Sequence, residues 1–311
     1  MKQVLITGGA GFIGSHTADV LLVQGIAVRV FDNFSNGKHT NLDAAALADG
    51  RLTLVKGDVR DSQAVDAAVV GVDAVLHLAA QVSVPRSVAD PVESSTHNIT
   101  GFLNVLDAVR RHNVKRMVYA SSAAVYGVPE ALPLTEANTA KPMSPYGLEK
   151  FINDQYAALY LDLYGVSSVG MRYFNVYGPR QDPESPYAGV ISKFADGLEG
   201  AKPLRVFGDG SQTRDFIYVG DVARANALAL QAPACGVLNV GTGTSVTLLE
   251  LIDAMKEAFD KPAIVQHEPP ATGDIAHSAT NPARLQQTLG WQITTPFVQG
   301  LRALAESLRK I

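Results

Sequence analysis

Apolar residues recur along this chain in two alternating rhythms. Short runs that are apolar almost throughout, at 3–7, 27–31, 52–56, 74–80, 116–120 and 167–171, read as strands buried on both faces. Between them lie stretches of helical period, such as Ala18, Leu21 and Leu22 running to Gly25, and a polar helix carrying Asn98, Leu103, Leu106 and Val109. Strands of this kind alternating with helices predict an α/β fold built on a doubly wound parallel sheet. The rhythm changes after the sixth strand. Glycine and proline thicken from Gly178 to Gly210, and short strands at 204–207 and 215–218 flank the turn Gly208-Asp209-Gly210. A helix over 221–231, an apolar strand over 237–240, a helix over 248–259, a short strand near Ile264, a polar segment at 269–280 and a closing helix complete the chain.

One helix carries candidate chemistry at its start, Ser144-Pro145-Tyr146-Gly147-Leu148-Glu149-Lys150. Pro145 suits a first helical turn, and Phe151, Ile152, Tyr156, Leu159, Tyr160 and Leu163 carry the period on to a stop at Gly165. Tyr146 and Lys150 then share one face. An ammonium near a phenol favours the phenolate, so Tyr146 is expected to act as an acid or base below the usual value of about 10. Ten tyrosines make such a pairing with lysine common by chance, so the surroundings decide.

The surroundings are those of a dinucleotide site. The first strand ends in Gly8-Gly9-Ala10-Gly11-Phe12-Ile13-Gly14 and a helix follows. Gly8 permits the tight turn, Gly11 removes a side chain that would block a pyrophosphate, and Gly14 lets helix and strand pack closely, as in a Rossmann-type fold. Asp32 ends the second strand, where a carboxylate accepts from both ribose hydroxyls and repels a 2'-phosphate; this favours NAD over NADP. Arg29, Lys38 and His39 keep NADP open, and Asp32 also fits a cap in a turn with Asn33. Asp58 either meets an adenine amino group or caps the next helix. Ala79 and Ala80 are small enough to let backbone pass beside the cofactor, whereas His77, inside an apolar strand, reads as a satisfied core residue. Ser121 and Ser122 end the fifth strand and so reach the same crevice.

Composition narrows the classes further. At 311 residues and 47% hydrophobic content, the chain can bury a large core, in two lobes. Residues 1–173 form the expected dinucleotide domain, to which 213–240 returns, interleaved with a smaller mixed α/β domain over 174–311. A net charge of -4 without a Lys/Arg run gives no footprint for nucleic acid or an anionic membrane. Cys235 is the single cysteine, which excludes an intrachain disulfide and a cysteine metal cluster; no metal is expected. Strand-like residues start at Gln3 and no apolar run is long enough to span a bilayer, so a cytoplasmic location is expected.

The glycine turn, Asp32-Asn33, Ser121-Ser122, Tyr146 with Lys150, and Arg172-Tyr173-Phe174-Asn175 together resemble the extended short-chain dehydrogenase/reductase family over essentially the whole chain, most closely its UDP-sugar 4-epimerase branch. The resemblance implies NAD held by Gly8, Gly11, Phe12, Ile13, Gly14, Asp32, Asn33, Asp58, Val59, Leu78, Ala79, Ala80, Asn98, Ser121, Tyr146, Lys150 and Tyr173. It makes Ser122 the partner of the sugar 4-hydroxyl, Tyr146 the base and Lys150 the ligand of the nicotinamide ribose. It gives Asn175, Phe207, Arg214 and Asp274 to uridine and diphosphate, and puts Ser278 beside the sugar's 2-substituent. A small residue there admits an N-acetyl group, unless Ser278 is only a loop residue and His277 limits the pocket. It also implies a homodimer joined through the helices near 96–111 and 145–165.

The reaction implied is oxidation at C4 of a UDP-hexose to a transient 4-keto sugar, followed by reduction from the opposite face, with no net redox change. Ala123 and Ala124 stand where sugar-nucleotide 4,6-dehydratases and decarboxylating relatives carry acidic residues, which favours the epimerase. Ala271 stands where the family often has an arginine, so one diphosphate contact is missing or comes from Arg180, Lys193 or Arg205. The alternatives are a UDP-glucuronate 4-epimerase, an oxidoreductase that releases NADH, and an NAD-binding protein without catalysis.

Overall fold

A computed structural model describes residues 1–182, 189–270 and 275–309. The chain opens with β1 (Gln3–Thr7), α1 (Phe12–Val23), β2 (Ala27–Asp32), α2 (Ala44–Asp49), β3 (Leu52–Lys56), α3 (Ser62–Val69) and β4 (Ala74–His77). There follow α4 (Val84–Ala89), α5 (Pro91–Ser95), a π-helical turn at Thr96–Thr100, α6 (Gly101–Arg111), β5 (Arg116–Ser122), α7 (Pro145–Tyr164) and β6 (Ser168–Tyr173). The remainder comprises β7 (Asn175–Tyr177), α8 (Val190–Glu199), β8 (Leu204–Phe207), β9 (Thr213–Arg214), β10 (Phe216–Tyr218), α9 (Val219–Gln231) and β11 (Gly236–Val240). Last come β12 (Val246–Thr247), α10 (Leu248–Phe259), β13 (Val265–Glu268), α11 (Ala283–Leu289) and α12 (Phe297–Leu308).

Seven parallel strands form the main sheet in the order β11-β6-β5-β4-β1-β2-β3. The sheet grows one way from β1 to β3 and the other way from β4 to β11, so the connections after β1 and β4 leave in opposite directions. A crevice opens there, at the carboxyl ends of the strands. Ala18 and Leu21 of α1 and Val222 and Ala225 of α9 cover one face. Val65 of α3, Val105 and Leu106 of α6 and Ala157 of α7 cover the other, which is why the strands read as apolar throughout.

The apolar run at 237–240 does return to the main sheet, as β11 beside β6. The short strands flank the turn Gly208-Asp209-Gly210 as expected. They do not pair with each other: β8 lies parallel to β13, and β10 parallel to β7. Each finds its partner through a second core of Tyr177, Phe194, Leu204, Leu251, Phe259 and Leu301, which pairs segments distant in sequence. The polar helix at Asn98 is also not continuous. The π-helical turn at Thr96–Thr100 interrupts it, and the Asn98 carbonyl accepts from Asn153 Nδ2 at 3.0 Å. The closing helix is two helices, α11 and α12.

Two buried side chains tie later segments of the chain to the sheet and its covering helices. Asp215 is fully buried; Oδ1 accepts from Thr242 N at 2.8 Å and its hydroxyl at 2.6 Å, and Oδ2 from Gly243 N at 2.9 Å. Trp291, 1% exposed, donates Nε1 to the Asp221 carbonyl of α9 at 3.0 Å. Trp291→Ala should therefore destabilise the protein by about 3–5 kcal/mol, the range for deleting a buried aromatic. Urea unfolding followed by circular dichroism measures it, and a loss below about 1 kcal/mol contradicts this packing role.

Candidate active site

The start of α7 is fixed from two sides. Ser144 caps it, its hydroxyl accepting from Gly147 N at 3.1 Å, and fully buried Ser87 on α4 accepts from Tyr146 N at 3.1 Å. A Cβ at Gly147 would lie 2.6 Å from the Ala124 carbonyl oxygen, so the helix abuts the turn that follows β5. That contact brings Tyr146 to the end of β5 that carries Ser122, whose hydroxyl acts to lower the pKa of the phenol.

Lys150 lies one turn on, 2% exposed, with Nζ donating to the Ala120 carbonyl at 3.0 Å and standing 5.8 Å from the centre of the Tyr146 ring. Burial pushes its pKa down to about 8, against the pull of Asp154 and Glu149. Tyr146 departs from the expectation of a lowered pKa. Burial raises it, the Ser122 hydrogen bond opposes the rise, and the Glu149 charge adds to it. The sequence places the ammonium on the right face of the helix but does not reveal how deeply the phenol is desolvated.

Beneath this pair lies a buried polar network. Asp154 accepts from Arg172 Nε and Nη2, each at 3.0 Å, from Ser121 Oγ at 3.1 Å, and, through Oδ1, from Tyr119 at 3.1 Å. Arg172 continues to the Tyr126 hydroxyl at 2.9 Å, which donates to Asn239 of β11 at 2.6 Å. Asp154 escaped the sequence reading. Its signal was its spacing, four residues after Lys150 on the same helix face.

The glycine turn has the shape a dinucleotide needs. Gly8 sits at φ +69, and a Cβ there would come 2.7 Å from Ala79 N; at Gly14 one would come 2.3 Å from the Gly8 carbonyl. Gly11 caps α1 without a side chain, which leaves the first amides of the helix open to an anion such as a phosphate. Asp32 is 6% exposed, held by Ala10 N at 2.9 Å and Phe34 N at 2.8 Å. Leu78 N bonds Thr7 O at 3.0 Å, fixing the backbone that runs on to Ala79 and Ala80. These residues fit NAD.

Of the three cations that left NADP open, Arg29 is bound to the carbonyls of Ala68 and Val70, Lys38 stands 3.7 Å from Asp182, and His39 stacks on Phe34. Asp58 does not cap α3, a task Asp61 performs. It accepts from Asn33 Nδ2 at 3.0 Å and pairs with Arg60 at 2.8 Å, which holds its carboxyl well below the usual range. Val59 packs into the core beside Gly101.

Two assigned residues are engaged within the protein. Asn98 accepts from Gln81 N at 2.9 Å and donates to Gln81 O at 2.8 Å; the Tyr173 hydroxyl donates to Asn226 at 2.7 Å. His77 is a core residue, bonded to Thr7 at 2.8 Å, with burial pushing its pKa down to about 3.

Phe207 and Arg214 line a pocket of about 410 Å³ together with Lys193 and Arg205, whose guanidinium lies 5.6 Å from the Phe207 ring centre. Two of the three cations considered as substitutes at Ala271 are thus present; Arg180 instead pairs with Asp19 at 2.8 Å. Asn175 Nδ2 donates to the Asp215 carbonyl at 2.9 Å, and Ser278 N to the Thr213 carbonyl at 3.1 Å, next to Arg214. Asp274 and Ala271 lie outside the described residues.

The profile of the NAD dependent epimerase/dehydratase family matches residues 4–241. A putative UDP-glucose 4-epimerase of Methanocaldococcus jannaschii is 38% identical over 99% of this chain and 98% of that protein. Among solved structures, the Thermus thermophilus UDP-glucose 4-epimerase in complex with NAD is 40% identical, with a TM-score of 0.90 over 99% of each chain. The UDP-N-acetylglucosamine 4-epimerase of Methanobrevibacter ruminantium, in complex with UDP-N-acetylmuramic acid, reaches a TM-score of 0.95 at 36% identity, over 99% of this chain and 98% of its own. Sequence, fold and site agree: this chain belongs to the NAD dependent epimerase/dehydratase family, the extended short-chain dehydrogenases/reductases.

Proposed function

We propose that this protein inverts C4 of a UDP-hexose, interconverting UDP-glucose and UDP-galactose and also accepting the N-acetylhexosamine counterparts. The observation that carries the reading is the helix start that sets Tyr146 and, one turn on, Lys150 against the carboxyl end of β5, where Ser122 lies and Lys150 Nζ bonds the Ala120 carbonyl. Bound NAD supplies the oxidation of C4 and its reversal. Tyr146 takes the proton of the 4-hydroxyl and later returns one, and Ser122 orients that oxygen. The Lys150 charge favours the phenolate against the cost of burial. Phe207 offers a face to the uracil ring, and Arg214, with Lys193 and Arg205, neutralises the diphosphate. Ala123 and Ala124 place no carboxyl group there to eliminate water or assist decarboxylation, so the keto sugar can only be reduced again.

Assembly follows from the surface of the catalytic helix. Val88 of α4 and Val92 of α5 are 62% and 74% exposed, Met143 just before α7 is 64% exposed, and Leu148 and Leu163 of α7 are 47% and 60% exposed. A second copy of the chain, related by a two-fold axis, covers these residues. Among the described residues no helix is long and apolar enough to cross a membrane. With its single free cysteine, the protein suits a reducing cytoplasm.

Three measurements test these statements. Purified protein given UDP-glucose should form UDP-galactose by NMR without accumulating NADH, and Tyr146→Phe should lower turnover roughly 10²-fold or more while leaving bound NAD in place. Release of stoichiometric NADH would instead identify a net dehydrogenase. Wild type should also turn over UDP-N-acetylglucosamine, and Ser278→Tyr should cut kcat/KM for that sugar far more than for UDP-glucose, because a phenol would occupy the space of the N-acetyl group. Equal effects on both sugars contradict that role for Ser278. Light scattering at micromolar concentration should give the mass of a dimer, and Leu148→Asp should give a monomer.

A further inference from the structure

Of the buried carboxylates on the catalytic helix, Glu149 is the one without a charged partner among the described residues. Glu149 is 3% exposed, beside Lys150 at 2% and near Asp154 at 5%. A buried charge is costly unless another charge balances it. Asp154 is balanced by Arg172, which contacts it through two nitrogens at 3.0 Å. That leaves one carboxylate and one ammonium, Glu149 and Lys150, on consecutive residues. Among the described residues neither makes an ion pair. Glu149 Oε2 accepts from neutral donors, Ser94 Oγ at 2.9 Å and Asn98 Nδ2 at 2.6 Å, and Lys150 donates to the Ala120 carbonyl at 3.0 Å.

The bond to Asn98 reaches the cofactor side of the crevice. Because Nδ2 is aimed at Glu149 and at the Gln81 carbonyl, Oδ1 is left to accept from Gln81 N at 2.9 Å. Asn98 thus grips both backbone groups of the residue that follows Ala79 and Ala80, and Glu149 sets which way its amide points. The π-helical turn supports this by freeing the Asn98 carbonyl for Asn153.

We propose that Glu149 is a positioning residue for the reaction at Tyr146: its carboxylate balances the Lys150 ammonium within the buried helix pair and orients the Asn98 clamp on the Gln81 backbone. This rests on the reading of Tyr146 and Lys150 as the acid–base pair. Other charged groups around α7 are engaged elsewhere. Glu93 of α5 pairs with Arg86 of α4 at 2.8 Å and with His97 of the π-helical turn at 3.0 Å. Asp107 of α6 pairs with Arg110 at 2.8 Å and Arg111 at 3.0 Å, Tyr119 and Arg172 bond Asp154, and His77 of β4 stays neutral. Glu149 acts on both groups of the pair: after Asp154, whose pull is the larger, its charge holds up the pKa of Lys150, which burial pushes down to about 8, and it adds to the rise at Tyr146.

Glu149→Gln keeps an oxygen for Ser94 and Asn98 and removes only the charge. In profiles of kcat against pH, the two limbs report the ionisations of Lys150 and Tyr146. Removing a nearby negative charge lowers both pKa values, so both limbs should move to lower pH, by about half a unit or more. NAD content should stay at the wild-type level. Superimposable profiles for the two proteins overturn the proposal, since a merely structural glutamate leaves the limbs in place. If the glutamine variant does not fold, Glu149→Asp, which withdraws the carboxylate by one carbon, should give a smaller shift in the same direction, and no shift overturns the proposal. Failure of wild type to epimerise, or a Tyr146→Phe protein with full activity, would count against the underlying reading instead.

Discussion

The contact of Arg172 Nε and Nη2 with Asp154 Oδ2 holds this architecture to its chemistry. Arg172 stands on β6 and Asp154 on α7, both buried, and the pair gathers Ser121 from β5, Tyr119, Tyr126 and, through Tyr126, Asn239 of β11. Buried ion pairs add little to net stability because desolvation offsets their attraction. What such a pair can specify is arrangement: any other packing of α7 on the sheet would leave a charge unpaired. The helix is thereby fixed in rotation as well as position, and the face that carries Asp154 also carries Tyr146 and Lys150.

Proton affinities at the site follow from that burial. Enclosure raises the pKa of the Tyr146 phenol and lowers that of the Lys150 ammonium toward about 8. Both shifts oppose the charged forms that acid–base work needs, so the balance rests on a few local charges and on the Ser122 hydrogen bond. A positive charge brought near the phenol favours its ionisation, and a negative one opposes it. The same enclosure makes Lys150 and Glu149 depend on each other.

The segments around the second core concentrate positive charge in a protein with net charge -4. They do so locally. Lys193, Arg205 and Arg214 come from α8, β8 and β9 and meet around Phe207, so the basic groups are concentrated in one pocket and not spread as a run along the chain. Asp215, next to Arg214, anchors these segments to the loop after β11, and its backbone carbonyl holds Asn175.

Features governed by near neighbours were legible in the sequence. β3 and β8 span the runs read from it, α7 begins after Ser144 and ends at Gly165, and α10 covers 248–259 behind a capping box of Thr247 and Glu250. The glycine turn was legible for the same reason, since close backbone packing and a positive φ restrict the residue types allowed. So were the seven residues from Ser144 to Lys150, because spacing alone puts Tyr146 and Lys150 on one helix face. Tertiary structure alone decided the rest. β8 paired with β13 and β10 with β7 through a core assembled from distant segments. The helix at Asn98 broke at a π-helical turn whose freed carbonyl finds Asn153, and Arg29 was drawn to two carbonyls away from the ribose side. The proton affinities of Tyr146 and Lys150 belong here too, since they depend on how far water is excluded and on which charges lie near in space. Local sequence carries no record of either.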